Sequence, residues 1–194
     1  MSKGFIRHNA ACQTGKGTDW ARQQVKLMIE REYRQHGPDG WCLLVDIRHY
    51  YDTMPHEVAN QRFERKLPYN VYARVRDVLD RQYTGEAGYS PGSQMVQLAG
   101  ISVPDPIDHY IKERLRADKY VRFMDDSWIC HHSREQLVEW REAIRARYAT
   151  EGMELHPTKT KIVRLRDGFR FLGFIYRLTP EGKVIMTVDP QNVK

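Results

Sequence analysis

Tyr120-Val121-Arg122-Phe123-Met124-Asp125-Asp126-Ser127-Trp128-Ile129-Cys130 is the stretch on which the fold turns. β-Branched and aromatic residues flank two adjacent acids, with Arg122 and Ser127 interleaved. This is the pattern of two short paired strands with one face in a core. Two aspartates at a hairpin tip have an ordinary reading, because Asp tolerates the left-handed conformation and bonds its own backbone in tight turns. A third acid changes the balance. Asp46 follows the apolar run Trp41-Cys42-Leu43-Leu44-Val45, read as a strand over 41–47. If that strand pairs with the hairpin, three carboxylates meet at one sheet edge. Such a cluster is electrostatically costly without a cation, and hard oxygen donors in that number suit Mg²⁺ or Mn²⁺.

The 194 residues, 41% of them hydrophobic, suffice for one domain with a sizeable core. No apolar run approaches the roughly 20 residues needed to span a bilayer, so no membrane association is expected. The first seven residues lack the apolar stretch and cleavage site of a signal peptide. Cys12, Cys42 and Cys130 fit no zinc spacing and read as reduced thiols, which predicts a cytoplasmic location. A net charge of +6 permits a polyanionic partner without specifying one.

Outward from the acids, periodicity predicts a helix over 18–35, capped by Thr18 or Asp19, with Val25, Met28, Ile29 and Tyr33 on its buried face. Residues 13–18 are Gly-containing but lack Walker A spacing. Pro55 suits the first turn of a further helix, with Thr53 as a cap. Asp52 is either a fourth acid of the cluster or, the favoured reading, a turn residue bonding backbone amides. A helix over 70–83 carries the stripe Val71, Val75, Val78, Leu79. A turn-rich loop over 84–92 then feeds a mostly helical segment, 93–119, interrupted at Pro104 and Pro106. Ser133-Arg134-Glu135-Gln136 is a capping box opening a helix that buries Leu137, Trp140, Ile144 and Tyr148 and ends at Gly152. Strands follow over 162–165, 169–175 and 184–188. The fold class is therefore α+β, an antiparallel sheet with helices packed on one face and the acids on the other.

Several segments together resemble a reverse transcriptase, of the bacterial kind related to group II intron and retroelement enzymes. Asp46-Ile47-Arg48-His49-Tyr50-Tyr51-Asp52-Thr53-Met54-Pro55-His56 resembles the family's first palm motif. Ser90-Pro91-Gly92-Ser93-Gln94-Met95-Val96-Gln97 resembles the loop and helix beneath the incoming nucleotide, and Phe123-Met124-Asp125-Asp126 the aromatic-X-Asp-Asp hairpin. Residues 152–161 resemble the lysine motif, Phe171-Leu172-Gly173-Phe174 the primer grip, and 12–21 the join between fingers and palm. Departures are Phe123 for the usual Tyr, Pro91 where retroviral members carry Gln, and Val96 where Ser is frequent. The resemblance divides the chain into partial fingers with an entry helix (1–40), a palm catalytic core (41–176) and a C-terminal strand that begins a missing thumb (177–194). Fingertips and thumb would come from a partner domain or chain.

The resemblance implies an RNA-directed DNA polymerase that uses two divalent ions, Mg²⁺ with Mn²⁺ as an alternative, to add dNTPs to a DNA or RNA primer on an RNA template. Asp46 and Asp125 would bridge the ions, with Asp126 contributing and the Ile47 carbonyl completing a site. Tyr51 would be the steric gate against a ribose 2′-hydroxyl. Lys159, with Lys161 as rival, would neutralise or protonate the leaving pyrophosphate. Pro91, Gly92 and Gln97 would contact nucleotide or template, and Phe171, Leu172 and Gly173 the primer. Other classes fit parts of the pattern: an RNA-binding module without chemistry, another palm-type nucleotidyltransferase such as a cyclase or RNA-templated RNA polymerase, and a nuclease.

Overall fold

β1 (Trp41–Val45) is buried at every position after the first. An uninterrupted apolar strand of this kind belongs between two covered faces rather than at a half-solvated one. Its side chains alternate accordingly: Leu43 and Val45 enter one core, Cys42 and Leu44 another. β1 lies inside a four-stranded antiparallel sheet of order β2-β3-β1-β4, built with β2 (Tyr120–Phe123), β3 (Asp126–His131) and β4 (Lys161–Arg164). The computed structural model describes residues 4–192; residues 1–3 and 193–194, the outermost parts of the first and last expected segments, lie outside the described residues.

The first core is closed by helices. α2 (His56–Lys66), α3 (Tyr69–Gln82), α4 (Gln94–Ser102), α5 (Asp105–His109) and α6 (Arg134–Ala149) supply Phe63, Leu79, Val96, Ile107 and Leu137 to it. α5 runs into a π-helical turn, Tyr110–Arg114. The second core lies under α1 (Thr18–His36) and a three-stranded antiparallel sheet, β5 (Phe169–Phe171), β6 (Phe174–Leu178) and β7 (Val184–Val188). A short 3₁₀ turn, Pro190–Asn192, follows. The outer edge of β2 is covered by the N-terminal segment: the Ala10 N–H donates to the Arg122 carbonyl and the Arg122 N–H to that of His8.

The expectation of one open, acid-bearing sheet face is therefore corrected. Both faces are covered, and the acids stand at the strand ends. Smaller corrections have local causes. The helix expected to be capped by Thr18 or Asp19 starts after Gly17 without a side-chain cap, and Asp19 instead pairs with Arg22 at 2.6 Å. Thr53 bonds the carbonyls of Arg48 and His49 and does not cap α2. In α3 the buried positions are Tyr72 and Leu79, and Val71 is exposed, because the Tyr72 ring takes the core-facing place one residue on. Ser133 does cap α6, accepting from the Gln136 N–H, but the Gln136 side chain bonds Glu139, so the box is half formed. The run 169–175 is two strands split by a turn at Leu172-Gly173, both at positive φ (47° and 80°), as a type I′ turn requires. The expected boundary at residue 176 falls inside β6, so the segment after it completes the same sheet.

Candidate active site

The acids are placed by backbone register. Phe123 pairs with Asp126, which leaves Met124-Asp125 as a two-residue hairpin turn. Met124 takes φ +54°, a conformation uncommon outside glycine and the short polar residues. A buried network holds the turn there. The Arg122 side chain is inaccessible to solvent; it donates through Nη1 to the Met124 carbonyl (3.0 Å), through Nη2 to that of Ile101 (3.1 Å), and to both oxygens of Asp108, whose Oδ1 also accepts from Tyr120 Oη (2.6 Å).

Asp46 arrives from the neighbouring strand. Val45 pairs with Ser127, so continuing the register by one residue sets Asp46 opposite Asp126. Thr160 fixes the Asp46 backbone on both sides: its hydroxyl accepts from the Asp46 N–H (3.2 Å) and donates to the Asp46 carbonyl (3.1 Å). That carbonyl also accepts from the His156 N–H. Ile47 bridges Leu155, and among the described residues no backbone N–H outside the helices and strands donates to its carbonyl. Lys159 Nζ stands 3.3 Å from Asp46 Oδ2. A cleft of about 630 Å³ joins these parts; Asp46, Asp126, Lys159, Lys161, Phe171, Leu172 and Gly173 all line it.

Two of the carboxyls are held above the ordinary carboxylate range. Burial, then the charge of Asp46, pushes the Asp125 carboxyl upward, with Lys159 and Arg122 opposing. Burial, then Asp125 and Asp46, pushes Asp126 up to about 7. Like charges gathered in a poorly solvated place have this effect, and it marks a site short of positive charge. The donors are hard oxygens, the set that divalent cations of the Mg²⁺ type prefer, so the residues fit such an ion.

The model of the family described as "Reverse transcriptase (RNA-dependent DNA polymerase)" matches residues 5–176. The chain belongs to this reverse transcriptase family. No curated protein sequence matches it. Among solved structures it is similar to the Candida albicans telomerase in complex with a fragment of telomeric RNA (TM-score 0.70, 12% identity, covering 95% of this chain and 35% of that one). It is also similar to an apo Candida tropicalis telomerase truncated from its C-terminal domain (0.69, 11%, 93% and 41%) and to the apo Candida tropicalis telomerase (0.62, 10%, 88% and 36%). At these identities the likeness concerns the fold. The chain spans 35–41% of the length of these telomerases.

Within this reverse transcriptase fold, Tyr51 stands beside the hairpin, half-buried, with Oη 3.8 Å from Met124 Sδ. Burial, Cys12 and Asp125 hold its hydroxyl pKa above the ordinary value. The ring rests on Gly100, where an added Cβ would lie 2.9 Å from Tyr51 Oη. Tyr50 points the other way, buried, and donates to the Gly100 carbonyl. Pro91, Gly92 and Gln97 do not reach the acid cleft. Pro91 and Gly92 are exposed in the loop before α4, whose cap is Ser93, and Gln97 borders a separate hollow with Cys12, Gln94 and Leu98. Asp52 lies outside the cluster, exposed, 3.8 Å from His49.

Three residues at the site escaped the sequence reading. Thr160 frames Asp46, Gly100 makes room for Tyr51, and Arg22 clamps the far hairpin, donating to the Leu172 carbonyl from Nε (2.9 Å) and Nη2 (2.6 Å) with its guanidinium over the Phe174 ring. Their partners lie far away in sequence, so no local spacing announces them.

Proposed function

We propose that this chain is the palm-centred core of an RNA-directed DNA polymerase, extending a DNA or RNA primer with dNTPs along an RNA template. The observation that carries the reading is the shared cleft. The acid pair Asp46 and Asp126, two lysines and the Phe171-Leu172-Gly173 turn all line one cavity. A primer end held at that turn would have its 3′-hydroxyl among the carboxylates. Asp46 and Asp125 would hold Mg²⁺ or Mn²⁺, two ions in all, with Asp126 and the Ile47 carbonyl as further oxygen donors. Bound there, divalent ions supply activation of the primer hydroxyl and charge neutralisation for the triphosphate.

The protein's own groups do the rest. Lys159, mostly exposed and aimed at Asp46, is better placed than Lys161 to meet the leaving pyrophosphate as a cation or proton donor. Tyr51, wedged between Met124 and Gly100, would present its ring to the sugar and oppose a 2′-hydroxyl. Pro91, Gly92 and Gln97 would meet template or nucleotide on the side away from the acids. The motif wording supports the bacterial retroelement branch related to group II intron enzymes. Fingertips and thumb would be supplied by another domain or chain.

Primer extension on an RNA template with Mg²⁺ or Mn²⁺, comparing dNTPs with rNTPs beside Asp125→Ala, tests the proposal. Incorporation of dNTPs that vanishes in Asp125→Ala is expected. Template binding without any incorporation, even when fingertip and thumb regions of a relative are added, would reject polymerase chemistry in favour of an RNA-binding module.

A further inference from the structure

At the opposite end of β3 from the acids, the chain places a second set of metal-ligating groups. Glu32 and His36 lie one turn apart on α1 and so share a face. His132 follows the last residue of β3. One ligand atom from each lies within 4.8 Å of the others, and this is the one such His/Cys/Asp/Glu group of three found among the described residues. We propose that Glu32, His36 and His132 bind a single Zn²⁺ that fastens the end of α1 to the end of β3.

Glu32 carries the argument. Its side chain is completely buried, and neither carboxylate oxygen accepts a well-formed hydrogen bond. A buried carboxylate in that state is costly unless a cation meets it. Lys119 meets one side, with Nζ 2.8 Å from Oε2, and is itself shared with Asp118 at 3.6 Å. Oε1 is left facing His132 Nδ1 at 3.8 Å, too far for a hydrogen bond. An ammonium beside one oxygen, with the other left to meet an ion, is the outer-shell support that orients a monodentate metal ligand.

The two histidines complete a donor set. Their rings stack at 3.9 Å between centroids, over the end of α1. Both are exposed, so each can turn about its side-chain torsions to bring a nitrogen onto a common ion. Around a tetrahedral zinc with bonds of about 2.0–2.1 Å, ligand atoms lie about 3.4 Å apart, a closure from within 4.8 Å that rotation of the two exposed rings would supply. His131 is not a rival, because its Nδ1 accepts from the Ser133 N–H at 3.0 Å. Two imidazoles and one carboxylate favour zinc over Mg²⁺, and water would take the fourth position. Six residues of extended chain lead from Asp126 to His132, about 20 Å, so this centre is distinct from the acid cleft.

The test uses the full chain, stripped with a chelator and titrated with Zn²⁺ against a chromophoric competitor, with Co²⁺ as a spectroscopic probe. The expected result is one tight equivalent of zinc, a tetrahedral Co²⁺ absorption band, and a melting temperature raised by zinc. His36→Ala and His132→Ala, both at exposed positions that leave the fold intact by circular dichroism, should each weaken zinc binding about tenfold or more and abolish the thermal shift. His131→Ala and Asp126→Asn should leave zinc binding unchanged. No tight zinc, or zinc retained by the His36→Ala/His132→Ala double variant, or zinc lost with Asp126→Asn, would each overturn the proposal.

Discussion

The acid cluster makes a prediction that runs against ordinary expectation: neutralising Asp126 should stabilise the metal-free protein while impairing the proposed polymerase activity. The Asp126 carboxyl, at about 7 in the folded chain against 3.8 in an unfolded one, is raised first by burial and then by Asp125 and Asp46. Between those values the folded state holds a proton that the unfolded state has released. Stability therefore falls as pH rises through that window, and the whole penalty is present above about pH 7. A shift of roughly 3 units at 1.36 kcal/mol each gives an upper bound of about 4 kcal/mol. Water entry and side-chain relaxation reduce the expected gain for Asp126→Asn to about 2 kcal/mol at pH 8. Urea unfolding in EDTA at pH 5 and pH 8 measures it. The variant's advantage should grow with pH, and Mn²⁺ should narrow it by stabilising the parent. An equal midpoint for variant and parent at pH 8, or an advantage that does not change between the two pH values, would refute the electrostatic account.

Two further perturbations address the residues packed around the site. Gly100→Ala places a methyl 2.9 Å from Tyr51 Oη and should displace the ring, so that discrimination between dNTP and rNTP, read as a ratio of kcat/KM values, falls about tenfold with only a small change in dNTP incorporation. Arg22→Gln removes both bonds to the Leu172 carbonyl and the cation over Phe174, and should raise KM for primer–template several-fold, with a loss of about 1–3 kcal/mol in stability by thermal melting.

What the sequence disclosed, and what it withheld, follows from the range of the interactions. The hairpin around Asp125-Asp126, the buried strand at 41–45 and the face Leu137, Trp140, Ile144, Tyr148 of α6 are all legible from local periodicity. The convergence of Asp46 on the hairpin depends on the pairing of two apolar runs, and β1 does pair with β3. The second covered face of the sheet is not legible, because an uninterrupted apolar run such as 42–45 does not say what covers each side. The split within 169–175 follows from the resemblance of 171–174 to a primer-grip hairpin but not from local pattern, because Leu172 is a residue that rarely takes positive φ. Arg22 and Thr160 act on residues 150 and 114 positions away, where spacing carries no information.

Those last residues expose a common device at the two turns of the site. Met124 and Leu172 are both non-glycine residues at positive φ, +54° and +47°. Such a conformation costs about 1–2 kcal/mol for a side-chain-bearing residue. In each case the carbonyl of the strained residue accepts from an arginine: Met124 from Arg122, which is anchored on Asp108 of α5, and Leu172 from Arg22 of α1. A hydrogen bond from a charged donor contributes about 1.5–3 kcal/mol, enough to offset the strain. A glycine would adopt either turn without help but would leave it free to move. The side chains keep the turns bulky and the arginines keep them still, so the hairpin carrying Asp125 and the turn bordering the cleft on its far side are each fixed to the helical layers rather than to one another. Their separation is then set by the packed core between α1 and the sheet, which makes the width of the cleft a property of the whole fold.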